Sequence, residues 1–381
     1  MTADTLLLMT TSYPRAGDGS EAAGSFVADL ALALAQRVPV RVLAPGEAAC
    51  VEVAGPNLSI WRFPAPPGTL VNLRWRHPGD ALRVLAVLRA GAAVALRAAD
   101  DGRVRHSLAC WALPSGFWAR RLLRKCGIAY SVWMLGSDVW SLRKVPVVRS
   151  VLATVMRDAS RRYADGLQLG RDSEAICGNA VDFLPSTRML HADASRLPAA
   201  KPPYKLVFIG RWHPNKGVDL LLDALALLQD EDWNRIDRVS IYGGGPLHDL
   251  VHAKAERLRG AGRPIHVGRF IPKQQAEQAI VAADYLIIPS RIESIPVIFS
   301  DAMKLGRPVI ATPVGDLPAW VDGANPCGIG AATVDAAGIA DALRRALATS
   351  PADFASAVQK AAEQFDLGRI ADRIVAEVMH D

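Results

Sequence analysis

Short apolar runs alternate with longer amphipathic stretches along this chain, and the alternation stops once, in a polar, proline-rich segment, before starting again. An apolar run of strand length followed by a helical pattern, repeated, is the signature of a mostly parallel sheet covered by helices on both faces. In the first half, residues 6–10, 40–44, 58–63, 105–111, 130–135 and 166–169 read as strands. Helices are predicted over 25–36, 81–99, 115–125, 147–163 and 172–177. Residues 191–203 break the rhythm, and Ala199-Ala200-Lys201-Pro202-Pro203 reads as an interdomain linker. Strands then recur at 204–210, 239–242, 265–267, 285–289 and 309–312. At 381 residues the chain exceeds the roughly 250 to 300 that one core supports. The expected organisation is therefore an α/β domain over 1–195, a second over 196–365, and a final helix over 366–381. No strand follows that helix, so it is free to pack back onto the N-terminal domain.

Half the residues are apolar and 22% are charged, which excludes disorder as the dominant state. The apolar run at Leu6–Met9 is too short for a signal peptide, and no uncharged stretch reaches the roughly 20 residues of a membrane span. Five scattered cysteines without a Cys-x-x-Cys pair speak for a reducing compartment and against structural zinc. A cytoplasmic protein without a metal is expected. Charge is unevenly placed. Residues 61–163 hold 18 Arg or Lys against 5 Asp or Glu, whereas the whole chain carries only +6. Such a surplus suits an anionic partner, and nucleic acid, an anionic membrane face and a phosphorylated substrate all qualify.

Two stretches carry chemistry. Gly210-Arg211-Trp212-His213-Pro214-Asn215-Lys216-Gly217 leaves a strand and opens a helix. Ligands bind at the C-terminal ends of strands in open α/β sheets, and a helix N-terminus favours anions. Arg211 and Lys216 are placed to meet a diphosphate, although the segment alone equally fits a loop with two solvated cations. The second stretch runs from Arg291 through Glu293, Ile295, Pro296 and Val297 to Asp301, and on to Thr312. Pro296 suits a first helical position, leaving the next N–H groups free for phosphate. Glu293 and Asp301 are separated by up to about 12 Å at 1.5 Å per residue. That is wider than the roughly 5 to 9.5 Å of a glycosidase carboxylate pair, and it spans a sugar diphosphate.

In combination these stretches resemble the signature of the family-4 retaining glycosyltransferases, of the bacterial surface-polysaccharide type. The resemblance implies the GT-B fold, two Rossmann-like doubly wound domains facing a central cleft. It implies that Arg211 and Lys216 bind the donor diphosphate, Glu293 the transferred sugar and Asp301 the nucleotide ribose. Gly210, Gly244, Arg269, Phe270, Ile295 and Val297 complete the expected donor site. On the acceptor side, Tyr13-Pro14, Gly24-Ser25-Phe26-Val27, Leu113-Pro114-Ser115-Gly116 and Gly136-Ser137-Asp138 resemble family runs. Gly24, Ser25, Gly136, Ser137 and Asp138 are the acceptor-side candidates. Leu135 stands where the family usually has a His that contacts the donor sugar, and Asp301 where it has Glu.

The activity so implied is transfer of a hexose-type sugar, with retention, from a UDP- or GDP-sugar to a hydroxyl of a surface glycan or lipid-linked acceptor. No tightly bound cofactor and no nucleic-acid partner are expected. The rival readings are a non-hydrolysing sugar-nucleotide epimerase and a catalytically weak sugar-nucleotide-binding subunit. Asp230-Glu231-Asp232 imitates a metal-binding Asp-x-Asp but follows a helix, and reads as a solvated turn. Gly17-Asp18-Gly19-Ser20-Glu21-Ala22 lies too far from its strand for a dinucleotide fingerprint and reads as a flexible loop. Phe117, Trp118, Leu122 and Leu123 alternate with Arg120, Arg121, Arg124 and Lys125 on one helix, and Arg74-Trp75-Arg76-His77 lies nearby in sequence. This mix fits either core packing or peripheral contact with anionic lipid at the cytoplasmic membrane face.

Overall fold

The computed structural model describes residues 4–15, 21–66 and 78–379. The chain divides into two compact units, one of Met1–Met189 together with Leu367–Asp381, the other of Leu190–Asp366. Gly17 to Ser20 and Arg74 to His77 fall outside the described residues.

In the first unit the strands are β1 (Thr5–Met9), β2 (Val40–Gly46), β3 (Cys50–Gly55), β4 (Leu58–Pro64), β5 (Val104–Cys110), β6 (Ala129–Met134), β7 (Arg161–Ala164) and β8 (Asp182–Phe183). They form one sheet in the order β3-β4-β2-β1-β5-β6-β7-β8, parallel except where β3 runs against β4. Every residue of β1 is buried, which is why it reads as an unbroken apolar run. Successive strands run outward from β1 in both directions, so the strand order reverses between β1 and β5. The helices Pro78–Ala98, Ser115–Cys126 and Pro146–Asp158 contribute Val87, Ala95, Trp118, Leu122, Leu152 and Val155 to a core shared with Leu7, Met9, Val132 and Met134.

The helix Leu367–Met379 buries Ile370, Ala371, Ile374 and Val378, a helical stripe. Polar contacts tie it to the strands and helices of the first unit. Arg37 bonds Asp372 (2.5 Å), Tyr163 donates to Glu377 (2.6 Å), and Arg373 donates to the Phe183 carbonyl (2.7 Å).

The second unit holds β9 (Tyr204–Arg211), β10 (Ile236–Gly244), β11 (Ile265–Gly268), β12 (Tyr285–Ile288), β13 (Val309–Ala311) and β14 (Gly328–Gly330). All pairs are parallel and the order is β11-β10-β9-β12-β13-β14. Here the order reverses between β9 and β12.

Two expectations need correction, and one of two open readings is decided. Residues 166–169 are not a strand: β7 lies earlier, at Arg161–Ala164, and Leu167–Cys177 is a helix. Two arginines open β7, so it continues the polar pattern of the preceding helix and hides in it. The helix after β12 is Val297–Lys304, with Pro296 at its cap instead of its first turn. The apolar residues of Ser115–Cys126 do not face solvent, since Trp118 and Leu122 are fully buried and Phe117 and Leu123 pack against the same core.

Candidate functional site

Reversal of strand order leaves a crevice at the carboxyl ends of the two diverging strands, because the connections that follow them leave in opposite directions. In the second unit Arg211 ends β9 and the loop after it carries Lys216, while the loop after β12 carries Glu293. Both therefore open onto the same crevice. Lys216 ends a short 3-10 turn, Pro214–Lys216, and its Nζ is hydrogen-bonded to Glu293 Oε1. Ser290 Oγ donates to the same oxygen at 2.9 Å. Arg211 is exposed at the end of β9, where its carbonyl accepts from the His213 N–H (2.9 Å) and its side chain makes no hydrogen bond or ion pair among the described residues.

The two loops are held together by more than these side chains. Arg291 makes a two-pronged ion pair with Asp219 (2.7 and 2.9 Å) and donates to the Pro214 carbonyl (2.6 Å), while its backbone N–H donates to the Asn215 carbonyl (2.8 Å). Burial pushes the Asp219 carboxyl up, but the hydrogen bonds and charge of Arg291, with the N–H groups of the helix start, outweigh it and leave the group below its ordinary value. The Arg291 guanidinium is correspondingly raised by its bonds to Asp219. Gly217 sits between the loops at φ 66°, and a Cβ there would lie 1.8 Å from the Pro289 carbonyl oxygen. The loops thus meet backbone to backbone.

The remaining donor-side candidates lie on the same edge. Gly210 is in β9 and Gly244 ends β10. Arg269 and Phe270 follow β11 and are exposed, Phe270 by 59%. Ile295 is buried, Val297 is the first residue of its helix, and Asp301, one helical stretch on, has no exposed surface. Ser290, Asp219 and Arg291 were missed from the sequence. An acid in the first turn of the helix after Lys216 was the available signal for Asp219.

On the acceptor side, Gly24 and Ser25 lie in the helix Glu21–Ala35, and Gly136 caps the short helix Ser137–Trp140. Ser137 is exposed. Asp138 is a different matter. It is buried, and its two oxygens accept from the backbone N–H groups of Ala112 (2.6 Å) and Leu135 (3.2 Å), so its carboxyl is not turned to a substrate. Burial pushes it up to about 6, against the lowering effect of those N–H groups. With an unfolded value of 3.8, the folded state takes up the proton more readily. This group's contribution to stability is therefore full below about pH 4 and lost as pH rises through 6, up to about 3 kcal/mol for two units. Asp138→Asn should flatten that slope in urea denaturation midpoints measured from pH 4 to 7.5.

Among the described residues no group of three or more His, Cys, Asp or Glu is placed to hold a metal, and no helix is long and apolar enough to cross a membrane. Asp230 and Asp232 of the Asp-x-Asp imitation pair with Arg263 and Arg344 in a capped helical turn.

Two parallel, doubly wound units with the C-terminal helix on the first define a GT-B fold. The likeness to solved structures covers the whole chain. Sucrose-phosphate synthase from Thermosynechococcus elongatus superposes with a TM-score of 0.73 at 18% identity, covering 99% of this chain and 98% of that one. Anabaena HepE in complex with UDP gives 0.71 at 15% identity, covering 99% and 100%. At these identities the likeness speaks for the fold.

Residues 203–349, which hold every donor-side candidate, match the family described as glycosyl transferases group 1. Curated relatives extend the similarity. The D-inositol 3-phosphate glycosyltransferase of Mycolicibacterium smegmatis is 32% identical over 232 residues, 58% of this chain and 48% of that protein. Its counterpart in Geodermatophilus obscurus is 32% identical over 201 residues, 51% and 44%. The matched stretches span less than half the length of these relatives.

Proposed function

We propose that this protein is a retaining glycosyltransferase that moves a hexose-type sugar from a UDP- or GDP-sugar to an acceptor hydroxyl. The observation that carries the reading is the bond between Lys216 and Glu293 at the reversal between β9 and β12, with Arg211 exposed at the carboxyl end of β9. The two cations and the positive end of the helix Val297–Lys304 suit a diphosphate, whose charge grows as it leaves. Stabilising that charge with fixed groups is a large catalytic term. Glu293, already within reach of Lys216, would then accept from hydroxyls of the transferred sugar. In the reaction the acceptor oxygen forms a bond to the anomeric carbon as the bond to the β-phosphate oxygen breaks. The acceptor proton passes to the departing phosphate on the same face.

The acceptor class follows from charge and from the relatives. The surplus of cations over 61–163 suits a phosphorylated or lipid-linked glycan at the cytoplasmic membrane face. The relatives named for D-inositol 3-phosphate favour a small phosphorylated cyclitol instead. Both carry phosphate. Incubation with a nucleotide-sugar panel, with D-inositol 3-phosphate or membrane extract as acceptor, distinguishes them, and donor isomerisation without acceptor would replace this reading with that of an epimerase. Binding is tested first by thermal shift. UDP or GDP at 100 times its dissociation constant should add about 2.7 kcal/mol and raise Tm. No shift with either nucleotide refutes the donor site.

A further inference from the structure

The first unit has its own reversal of strand order, between β1 and β5, and the loop leaving β5 at that crevice begins with Trp111. Among the described residues Trp111 is the only one other than glycine with a positive φ, 68°. A bulky side chain in the left-handed region is strained by its Cβ against the following carbonyl, and glycine or asparagine would make the same turn more easily. The surroundings nevertheless fix it. Trp111 N donates to the Trp133 carbonyl (2.9 Å), and the next N–H, of Ala112, is held by the buried Asp138 carboxyl (2.6 Å). The indole meets Phe26 edge to face at 5.9 Å.

The ring is used unlike its neighbours. Trp118 and Trp133 are fully buried with their Nε1–H groups bonded to the Leu88 and Leu184 carbonyls, whereas Trp111 is half-buried and its indole N–H makes no hydrogen bond to the described residues. Strain that the fold over-determines gathers at ligand sites, and a partly exposed indole offers a flat apolar face with a polar handle. We propose that Trp111 is the platform of an acceptor subsite for a six-membered polyhydroxylated ring, a pyranose or cyclitol. The ring lays its C–H face on the indole, and one hydroxyl accepts from Nε1–H. Asp138 is a positioning residue that holds the turn. Taking this ring as the acceptor rests on the glycosyltransferase reading; the binding itself does not.

The test is saturation-transfer NMR on the donor-free protein with myo-inositol, D-inositol 3-phosphate, methyl α-D-glucopyranoside and methyl α-D-mannopyranoside. At least one probe should show transfer to the ring protons of one face, lost at least fivefold in Trp111→Ala and kept in Trp111→Tyr. Trp111→Gly relaxes the backbone, so its Tm should equal or exceed wild type while the ring signal disappears. A purely structural tryptophan would give the reverse, a lower Tm with the ring signal intact. Wild-type signal in Trp111→Ala, or none for all four probes in a protein that binds UDP, overturns the proposal. Ring binding through Trp111 without any UDP binding would instead sink the donor-site reading.

Discussion

Lys216→Ala should lower the rate of sugar transfer by about 10²- to 10³-fold, the cost of removing one charge-stabilising donor from a leaving group. The fold should survive, because Lys216 lies in a surface loop and Glu293 keeps its bond from Ser290. Arg211→Ala, which removes no side-chain hydrogen bond or ion pair among the described residues, should act chiefly through weaker nucleotide binding. Initial rates with titration of UDP separate the two effects. Unchanged rates and UDP affinity in both variants would remove the diphosphate from this crevice.

Gly217→Ala should be the most damaging single methyl in the second unit. The added Cβ would fall 1.8 Å from the Pro289 carbonyl oxygen and 2.7 Å from its carbon, both backbone atoms that cannot rotate away. Relief requires the loops after β9 and β12 to part, breaking the hydrogen bonds through which Arg291 holds Asp219, Pro214 and Asn215. A loss of about 3 kcal/mol or more is expected. Gly306→Ala is the control. Gly306 has a similar φ of 71° but nothing within 4 Å of its Cβ position, so only the left-handed penalty of about 1–2 kcal/mol applies. Urea denaturation of both variants measures the difference, and equal losses would mean the loops are not locked together.

The parts of the fold legible in the sequence are those whose burial is written as an apolar run. β1 and β12 are buried along their whole length and β9 through its centre, Leu206, Val207 and Phe208, and they stand out unaided. β3 was missed because it is an edge strand, exposed along nearly its whole length, with no inward face to impose alternation. β14 was missed because Gly-Ile-Gly is three residues long. In the candidate site, the residues that would touch a ligand were legible from charge and position in a loop. The residues that hold those loops were not. Arg291 and Asp219 lie far apart in the chain, and only the folded structure shows that they meet. That the Asp138 carboxyl turns inward onto the Ala112 and Leu135 N–H groups is likewise not written in the sequence, which does not show which way a carboxyl points.

The return of the last helix to the first unit has a consequence for the order in which this protein can be made. The second unit is one uninterrupted stretch of chain, so a nascent polypeptide holds everything it needs once Asp366 has emerged. The unit synthesised ahead of it must wait for Leu367–Met379 before Arg37, Tyr163 and the Phe183 carbonyl find their partners. During elongation its surface beneath Ile370, Ile374 and Val378 stays uncovered, so of the two units the one that emerges ahead is completed behind the other.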